Sequence, residues 1–238
     1  MNSAIREKIK KTGRHYPVSR LIIQPAIMIW LLLKLCFSAR YRSERFYALF
    51  YKKSLCQPST FTKENRYPVL FELAKKHQVN KFSTILSFGC STGEEVFTLN
   101  TCFPEALITG VDINKWAIRK AKQSNNNKDK LRFHLPDFLS GLSDGYFDIV
   151  FALGVLQSSV NRKRGIIKSS RRFTFMKFEH NLIELDRLLK AGGLLIIDNT
   201  DYDFRETRLF EKYTLLDVKS NIKRNRPVFD RNNLVSPE

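Results

Sequence analysis

The stretch Thr84–Leu99, TILSFGCSTGEEVFTL, decides the fold. An apolar run containing Ile85, Leu86 and Phe88 leads into a short segment bounded by two glycines, and an apolar-periodic segment that begins with two carboxylates follows. This order predicts a β-strand, a tight turn and the start of a helix. Glycines at positions 89 and 93 allow backbone angles that other residues rarely adopt, and they leave no side chain between the chain and a ligand. The stretch therefore predicts a loop whose main chain a ligand can approach closely.

The residues after this loop distinguish it from two other glycine-containing loops. A phosphate-binding loop carries a Lys-Ser/Thr pair after its last glycine, whereas Glu94 and Glu95 stand here and would repel phosphate. A dinucleotide-binding fold has a third glycine, which is missing, and an acid about 20 residues further on. That acid is present, because residues 107–114 predict a second strand that ends in the carboxylate of Asp112. Such a carboxylate is placed to accept hydrogen bonds from both ribose hydroxyls of an adenosine.

Two later segments extend the pattern. The third predicted strand, residues 131–135, is followed by Asp137, and Phe147–Leu153 predicts a fourth strand. With the loop and Asp112, these features make residues 60 to 220 resemble class I S-adenosylmethionine-dependent methyltransferases. Within that superfamily the string GCSTGEE is most similar to the loop of the chemotaxis protein-glutamate methyltransferases. The resemblance implies an α/β fold with a doubly wound, mostly parallel sheet of the seven-stranded, Rossmann-like type, and S-adenosyl-L-methionine as the methyl donor.

The resemblance also implies which residues bind this cofactor. Asp137 would accept a hydrogen bond from the adenine amino group, with Phe138 or Ile113 against the ring. Most members carry an acid two residues before the first loop glycine, where this chain has Ser87, so Glu94 or Glu95 could take over its contact with the ligand's amino group. Arg66, in the upstream segment STFTKENR, would pair with the ligand's carboxylate through two parallel bonds. The predicted cofactor-binding residues are Arg66, Phe88, Gly89, Cys90, Ser91, Gly93, Glu94, Asp112, Ile113, Asp137, Phe138 and Ala152.

The sequence contains fewer indications of the residues that contact the methyl acceptor. In class I enzymes the exit of the fourth strand, here residues 154–159, faces the transferred methyl group. It contains no acid or histidine, and it lacks the Asn/Asp-Pro-Pro-aromatic sequence of enzymes that methylate base amino groups. Methyl transfer from a sulfonium depends first on alignment, and an alcohol acceptor would also need a base. Asp201 and Asp203, which follow the fifth predicted strand, are the candidates for a catalytic base.

Positive charge is concentrated in two segments. The net charge of +18 is supplied almost entirely by residues 1–60, with 12 Lys/Arg and 2 Glu, and residues 161–178, with 7 Lys/Arg and no acid. Charge confined in this way indicates an anionic surface, either membrane headgroups or nucleic acid. The segment 161–177 follows the fourth strand, and there it would attract an anionic acceptor. The four cysteines show no metal-binding spacing, so we expect no metal and a reducing, cytoplasmic location.

The amino-terminal part predicts a helical extension over residues 1–58, ahead of a methyltransferase domain over 59–238. Residues 21–37 are mostly apolar but fall short of the roughly 20 apolar residues of a membrane-spanning helix. We expect a helix from about Pro25 that lies in a membrane interface or packs on the domain. The aromatic and basic segment 38–54 predicts a second helix, which stacks nucleobases or packs on the domain.

The remaining elements are predicted from apolar periodicity. Helices are expected at 69–77, 114–123 and 178–190, a fifth strand at 194–198 and a sixth at 213–219. A seventh strand is not resolved by the sequence of residues 222–238, which offers only a short apolar piece at 227–229.

The leading functional hypothesis is a cytoplasmic methyltransferase, peripheral on the inner face of a membrane, that modifies a small-molecule, lipid-linked or glycan-linked acceptor. One alternative is an RNA or protein carboxyl methyltransferase that docks through the basic segments. Another is a module without catalysis that binds adenosylmethionine or only the membrane. Nucleic acid is the less favoured partner. Class I folds serve many chemistries, so the acceptor atom stays open at this stage.

Overall fold

The structure is a computed structural model that describes residues 17–51, 59–60, 62–78, 80–158, 173–216, 228–232 and 234–235, and within these ranges the side chains from residue 25 onward. The basic segment at 161–177 lies outside these ranges up to residue 172. The elements in chain order are α1 (Pro17–Phe37), α2 (Ala39–Phe50), α3 (Pro68–Lys76), β1 (Thr84–Phe88), α4 (Glu94–Cys102), β2 (Leu107–Val111), α5 (Lys115–Ser124), β3 (Leu131–His134), α6 (Asp137–Ser140), β4 (Phe147–Leu153), α7 (Phe175–Leu188) and β5 (Leu189–Asp198). Two short 3₁₀ helices follow at Phe204–Glu206 and Phe210–Lys212.

The five strands form one parallel sheet in the order β3-β2-β1-β4-β5. The central strand β1 pairs with β2 on one side and with β4 on the other, so the direction of strand progression reverses between β1 and β4. Such a reversal opens a crevice at the carboxyl ends of the strands, where doubly wound folds bind ligands. The sheet therefore places the predicted glycine loop, which follows β1, beside this crevice.

Helices cover both faces of the sheet. One core cluster packs α7 against the sheet through Phe178, Leu182 and Leu185, together with the buried Tyr202. The other packs α3, α4 and α5 on the opposite face, through residues such as Phe71, Val96 and Ile118. Because β4 is covered on both faces, its sequence FDIVFAL is almost continuously apolar and buried. The predicted α/β, doubly wound, parallel architecture is confirmed.

The boundary between α7 and β5 differs from the prediction. The helix ends at Leu188, and β5 begins at the next residue instead of at Leu194. The glycines that indicated a helix end lie inside the strand, where the pairing with β4 shifts register between Phe147 and Ile149. A Cβ on Gly193 would stand 2.9 Å from the Asp148 carbonyl oxygen. The glycine is therefore needed for close strand contact in an irregular ladder, and not for helix termination.

The predicted sixth strand at 213–219 is not found at residues 213–216, and its remainder lies outside the described residues. Tyr213 instead donates its hydroxyl to the Asp186 carboxylate on α7 at 2.7 Å, and burial raises the pKa of this tyrosine. Near the carboxyl terminus, Phe229 forms isolated bridges with Tyr202 and Val235. In the described part of the chain the sheet thus has five strands, and the bridges of Phe229 lie outside it.

The amino-terminal helices join the domain through α2. Tyr47 is 5% exposed, and its hydroxyl accepts a hydrogen bond from the Lys115 backbone N–H at 3.1 Å. Ser43 donates to the Asn114 side chain at 2.6 Å, at the residue that caps α5. These contacts show α2 packing on the domain through Tyr47. Within the described residues, no helix combines the length and apolar character needed to cross a membrane.

Candidate functional site

The loop after β1 has a backbone that its glycines make possible. Gly89, Ser91 and Gly93 all have positive φ angles, of 85°, 51° and 97°. A Cβ on Gly89 would stand 2.5 Å from the Val155 Cγ2, so the loop after β4 closes directly onto this glycine. Gly93 is the left-handed residue that begins α4. The close approach of the two loops means that an alanine at position 89 would be strained and would have to displace Val155.

Asp112 is tied into the same loop by the backbone. One of its carboxylate oxygens accepts the Ser91 N–H at 2.9 Å, and the other accepts the Asn114 N–H at 2.8 Å. Burial raises the pKa of Asp112, and these two hydrogen bonds oppose that rise. Because a carboxylate has about four acceptor positions, Asp112 keeps the capacity to accept hydrogen bonds from a diol.

The two consecutive glutamates at the start of α4 point to different surroundings. Glu95 accepts a hydrogen bond from the Ser87 hydroxyl at 2.8 Å and lines the crevice. Glu94 accepts from the Thr92 hydroxyl at 2.8 Å, and it lines a separate depression with Trp116 and Lys120. The structure therefore brings Glu95 to the predicted cofactor site and places Glu94 outside it.

The charge state of Glu95 is adjusted by its surroundings. Burial raises the pKa of its carboxyl to about 7, while the hydrogen bond from Ser87 and the positive charge of Arg66 both lower it. Glu95 is thus a partly buried carboxylate that shares the crevice with the Arg66 cation, and among the described residues it forms no ion pair. A ligand that brings an ammonium group would favour its ionised form.

The segment before α3 also lines the crevice. Arg66 and Tyr67 both line it, with the Arg66 guanidinium 5.1 Å from the Tyr67 ring centroid. In the described part of the chain, no carboxylate lies within ion-pairing distance of Arg66. Its guanidinium is therefore available to an anionic ligand in the crevice.

A chain of hydrogen bonds connects this segment to the glycine loop. Ser91 donates its hydroxyl to the Thr60 carbonyl oxygen at 3.0 Å, and Thr60 donates its own hydroxyl to Glu44 on α2 at 2.6 Å. The backbone N–H of Thr60 donates to the same Glu44 oxygen at 3.1 Å. The α2 helix thus supports the loop that borders the crevice.

Together these elements border a crevice between the carboxyl ends of β1, β2 and β4, with a cavity volume of about 60 Å³. This volume is below the range of about 300–1,000 Å³ typical of small-molecule sites, so the crevice is narrow in this structure. Five of the predicted cofactor-binding residues line it: Arg66, Gly89, Cys90, Ser91 and Asp112. The Cys90 side chain itself is buried, and this burial raises the pKa of its thiol. Cys90 therefore contributes its main chain and not a reactive sulfur.

The other predicted cofactor-binding residues lie around this crevice. Asp137 and Phe138 line a neighbouring depression beside α5, where the Phe138 ring stacks on His134 with centroids 3.9 Å apart. Ala152 is fully buried within β4. Phe88 and Ile113 directly adjoin lining residues along the chain, and Gly93 lies two residues from both Ser91 and Glu95, but none of the three lines the crevice itself. The structure thus separates the predicted adenine contacts from the loop contacts, placing them off β3 and β1 respectively.

The two predicted catalytic aspartates are engaged elsewhere. Asp201 is 3% exposed, and its carboxylate accepts the Ser158 N–H at 2.5 Å. Asp203 forms an ion pair with Arg205 at 2.6 Å and caps the first 3₁₀ helix. Neither residue lines the crevice. Asp201 joins the loop after β4 to the chain after β5, and Asp203 stabilises the turn that follows.

A polar pair that the sequence analysis did not single out lies where the predicted base was expected. The Asn199 side-chain amide donates to the Tyr67 hydroxyl oxygen at 3.0 Å and to the Asp198 carboxylate at 2.7 Å. Asn199 has a φ of 54°, an angle that few residues other than glycine adopt. Burial raises the pKa of Tyr67. The sequence signal was the asparagine directly after β5, but its partner Tyr67 lies 132 residues earlier.

Comparisons with known proteins extend this description. The sequence profile of a family described as "Methyltransferase domain" matches residues 80–229. None of the curated proteins compared with the chain matches it.

The matches to the following solved structures all have TM-scores below 0.5. The PH0226 protein of Pyrococcus horikoshii is 21% identical, with a TM-score of 0.44 over 64% of this chain and 64% of that one. A putative S-adenosyl-L-methionine-dependent methyltransferase of Methanococcus maripaludis is 20% identical, with a TM-score of 0.41 over 55% and 54%. The YcgJ protein of Bacillus subtilis is 20% identical, with a TM-score of 0.40 over 56% and 50%. The chain thus spans about half to two thirds of each of these structures. The family profile covers more than half of the sequence, and this chain belongs to the methyltransferase-domain family.

Proposed function

We propose that this protein is an S-adenosyl-L-methionine-dependent methyltransferase that binds the methyl donor in the crevice between β1 and β4. The observation that carries this proposal is the arrangement of Arg66 and Glu95, a guanidinium and a carboxylate that line one crevice without forming an ion pair with each other. The amino-acid end of adenosylmethionine carries a carboxylate and an ammonium group. A cation and an anion that line the same crevice complement that pair of charges.

The role of Glu95 accounts for the departure at Ser87. In the superfamily pattern an acid at the end of β1 meets the ligand's amino group, and here Ser87 occupies that place. The Ser87 hydroxyl donates to Glu95 at 2.8 Å, so the carboxylate reaches the same region from the first turn of α4. We assign the ammonium contact to Glu95 on this basis, with Ser87 fixing the orientation of the carboxylate.

The rest of the donor would rest on the loop and on Asp112. The main chain at Gly89, Cys90 and Ser91 borders the crevice, and Asp112 lines it beside them. The two backbone hydrogen bonds to Asp112 hold its carboxylate in one orientation, which is what recognition of a ribose diol requires. Asp137 and Phe138, off the end of β3, stay our candidates for the adenine end.

The acceptor would approach from the side of Tyr67 and Asn199. When bound, adenosylmethionine supplies an electrophilic methyl group on a positively charged sulfur. A neutral amine or an ionised oxygen needs no base for this transfer. The residues of this chain would therefore act by aligning the acceptor and excluding water. Since Asn199 donates to the Tyr67 oxygen, the Tyr67 hydroxyl proton is free to be donated to an acceptor atom.

We propose a small-molecule, lipid-linked or glycan-linked acceptor, and a cytoplasmic location that gives access to the methyl donor. Residues 154–159 lack the sequence of enzymes that methylate base amino groups, which argues against that nucleic-acid chemistry. A protein carboxyl group is the second candidate, supported by the similarity of GCSTGEE to the chemotaxis protein-glutamate methyltransferase loop.

Calorimetry with adenosylmethionine and with S-adenosylhomocysteine tests donor binding. We expect both compounds to bind and to raise the unfolding temperature. Asp112→Asn and Glu95→Gln should each weaken binding about tenfold or more, since each removes a charge-assisted contact worth about 1.5–3 kcal/mol. Glu94→Gln is the matched control, because it makes the same chemical change one residue away and outside the crevice. Absence of any calorimetric or thermal signal with both compounds would overturn the proposal.

Labelled adenosylmethionine added to a lysate fractionated into lipid, glycan, RNA, protein and small molecules identifies the acceptor class. Label in the lipid, glycan or small-molecule fraction supports the primary acceptor proposal. Label in protein that is released by mild alkali indicates carboxyl methylation instead. Label confined to RNA contradicts both acceptor proposals while leaving donor binding intact.

A further inference from the structure

The helix pair α1 and α2 exposes an unusual amount of apolar side chain. Phe37 is 84% exposed, Phe50 72%, Met28 63% and Leu49 60%. Met28, Ile29 and Trp30 are consecutive and all exposed. Because consecutive helical residues differ in direction by about 100°, α1 is apolar around most of its circumference. A surface of this kind normally marks a contact with another molecule or with a membrane.

Cations lie among these apolar side chains, with almost no acids. Lys34, Arg40, Arg42 and Arg45 fall within residues 25–51, and Glu44 is the single acid of that range. Glu44 is already engaged by Arg40 at 3.1 Å and by Thr60. The Lys34 ammonium lies 3.9 Å from the Trp30 ring centroid, which places a charge beside the most amphipathic aromatic residue of α1. The exposed surface is therefore both apolar and cationic.

We infer that α1 and α2 dock on an anionic lipid bilayer, with α1 lying in the interface. Apolar side chains enter the boundary between headgroups and acyl chains, and flanking Lys and Arg bind anionic headgroups. A nucleic acid would leave Phe37, Leu33 and Met28 in water, and an apolar protein partner would leave the cations without counter-charges. The bilayer is the partner that satisfies both components of this surface.

Docking would also set the position of the crevice relative to the bilayer. Glu44 of α2 holds Thr60, and Thr60 accepts the hydrogen bond from Ser91 in the glycine loop. A bilayer bound by α2 is thus linked to the crevice through two successive side-chain contacts. This consequence rests on the proposed function, and it favours an acceptor presented at the membrane surface, which means a lipid-linked one.

Sedimentation of the full chain with vesicles tests the inference. We use phosphatidylcholine vesicles with and without phosphatidylserine, and we expect strong retention only when phosphatidylserine is present. Lys34→Gln and Arg45→Gln should each weaken retention about fivefold, and added salt should weaken it further. Lys76→Gln removes an exposed charge from the end of α3 and is the matched control, with retention unchanged.

A second set of variants tests the apolar contribution to vesicle binding. Leu33→Glu with Phe37→Glu changes two exposed side chains of α1 and should lower retention at least about tenfold. Phe82→Glu replaces a phenylalanine before β1 that is 67% exposed, and it should leave retention unchanged. Because both sites are exposed, neither substitution is expected to prevent folding, which circular dichroism checks.

Absence of retention on anionic vesicles would overturn the inference, and two further measurements would then identify what covers this surface. Absence of retention on anionic vesicles, together with a stable dimer that Leu33→Glu and Phe37→Glu convert to a monomer, would show that a second copy covers this surface. Absence of vesicle retention together with salt-sensitive RNA retention would assign the cations to nucleic acid. Vesicle retention is measured without adenosylmethionine, so its failure and a failure of donor binding are distinguishable.

Discussion

The Ser87 hydroxyl donates a hydrogen bond of 2.8 Å to the Glu95 carboxylate, which joins the end of β1 to the first turn of α4. The strand end that carries an acid in the superfamily pattern thus carries the partner of an acid in this protein. The ammonium-binding role that we propose for Glu95 depends on this pair, and so do two of the following predictions.

Binding of adenosylmethionine should weaken as the pH falls below about 7. The pKa of Glu95 in the ligand-free protein is raised to about 7 by burial, and only the ionised carboxylate attracts an ammonium group. Calorimetric titrations between pH 6 and 8.5 should show this trend in the wild type. Glu95→Gln should bind adenosylmethionine more weakly than the wild type at the upper end of this pH range, and its affinity should depend much less on pH. An identical pH profile in the variant would remove Glu95 from the donor site.

The unfolding free energy of the ligand-free protein should also depend on pH through the ionisation of Glu95. A carboxyl whose pKa is raised from 4.5 to about 7 on folding contributes stability that is full below pH 4.5 and lost as the pH rises through 7. This limits the loss to roughly 3 kcal/mol. In denaturant unfolding, the stability of Glu95→Gln relative to that of the wild type should therefore increase as the pH rises from 5 to 8. Ser87→Ala removes a contact that lowers the pKa, so its stability should fall more steeply with pH than that of the wild type.

Gly89→Ala should reduce donor binding as well as stability. The new Cβ would stand 2.5 Å from Val155, and the backbone φ of 85° is strained for alanine. We expect a loss of about 1–3 kcal/mol in unfolding free energy and weaker binding of S-adenosylhomocysteine. Gly192→Ala is the control, since its φ is 75° but no atom lies within 4 Å of the added Cβ. That variant should lose stability through strain alone and bind the ligand normally.

Tyr67→Phe should slow methyl transfer more than it weakens donor binding. The change removes the hydroxyl that accepts from Asn199 and keeps the ring beside Arg66. Loss of one hydrogen bond to the acceptor predicts a decrease of about threefold to tenfold in turnover. Asn199→Gly, which tolerates the positive φ, should act in the same direction. If the donor dissociation constant rises as much as turnover falls, Tyr67 belongs to the donor side of the crevice.

Local sequence determined the positions of several strands and of two residues beside the crevice. The apolar runs and turn residues around β1, β2 and β4 predicted those strands, with β4 at Phe147–Leu153 as observed. The placement of Gly89 and Asp112 beside the crevice could be predicted because it depends on backbone angle and on position at a strand end, which are local properties. The α/β, doubly wound fold was implied by the resemblance to class I methyltransferases that these residues carry.

Only the tertiary structure decided how side chains distant in sequence meet. Glu94 and Glu95 are adjacent, but a helix turns them about 100° apart, so only Glu95 faces Ser87 and the crevice. Tyr67 meets Asn199 because α3 and the end of β5 converge at the same edge of the sheet. Asp201 is held by Ser158 instead of lining the crevice. Local pattern determines backbone conformation and periodicity, whereas the direction of each carboxylate depends on which elements pack against it, and only the folded chain fixes that packing.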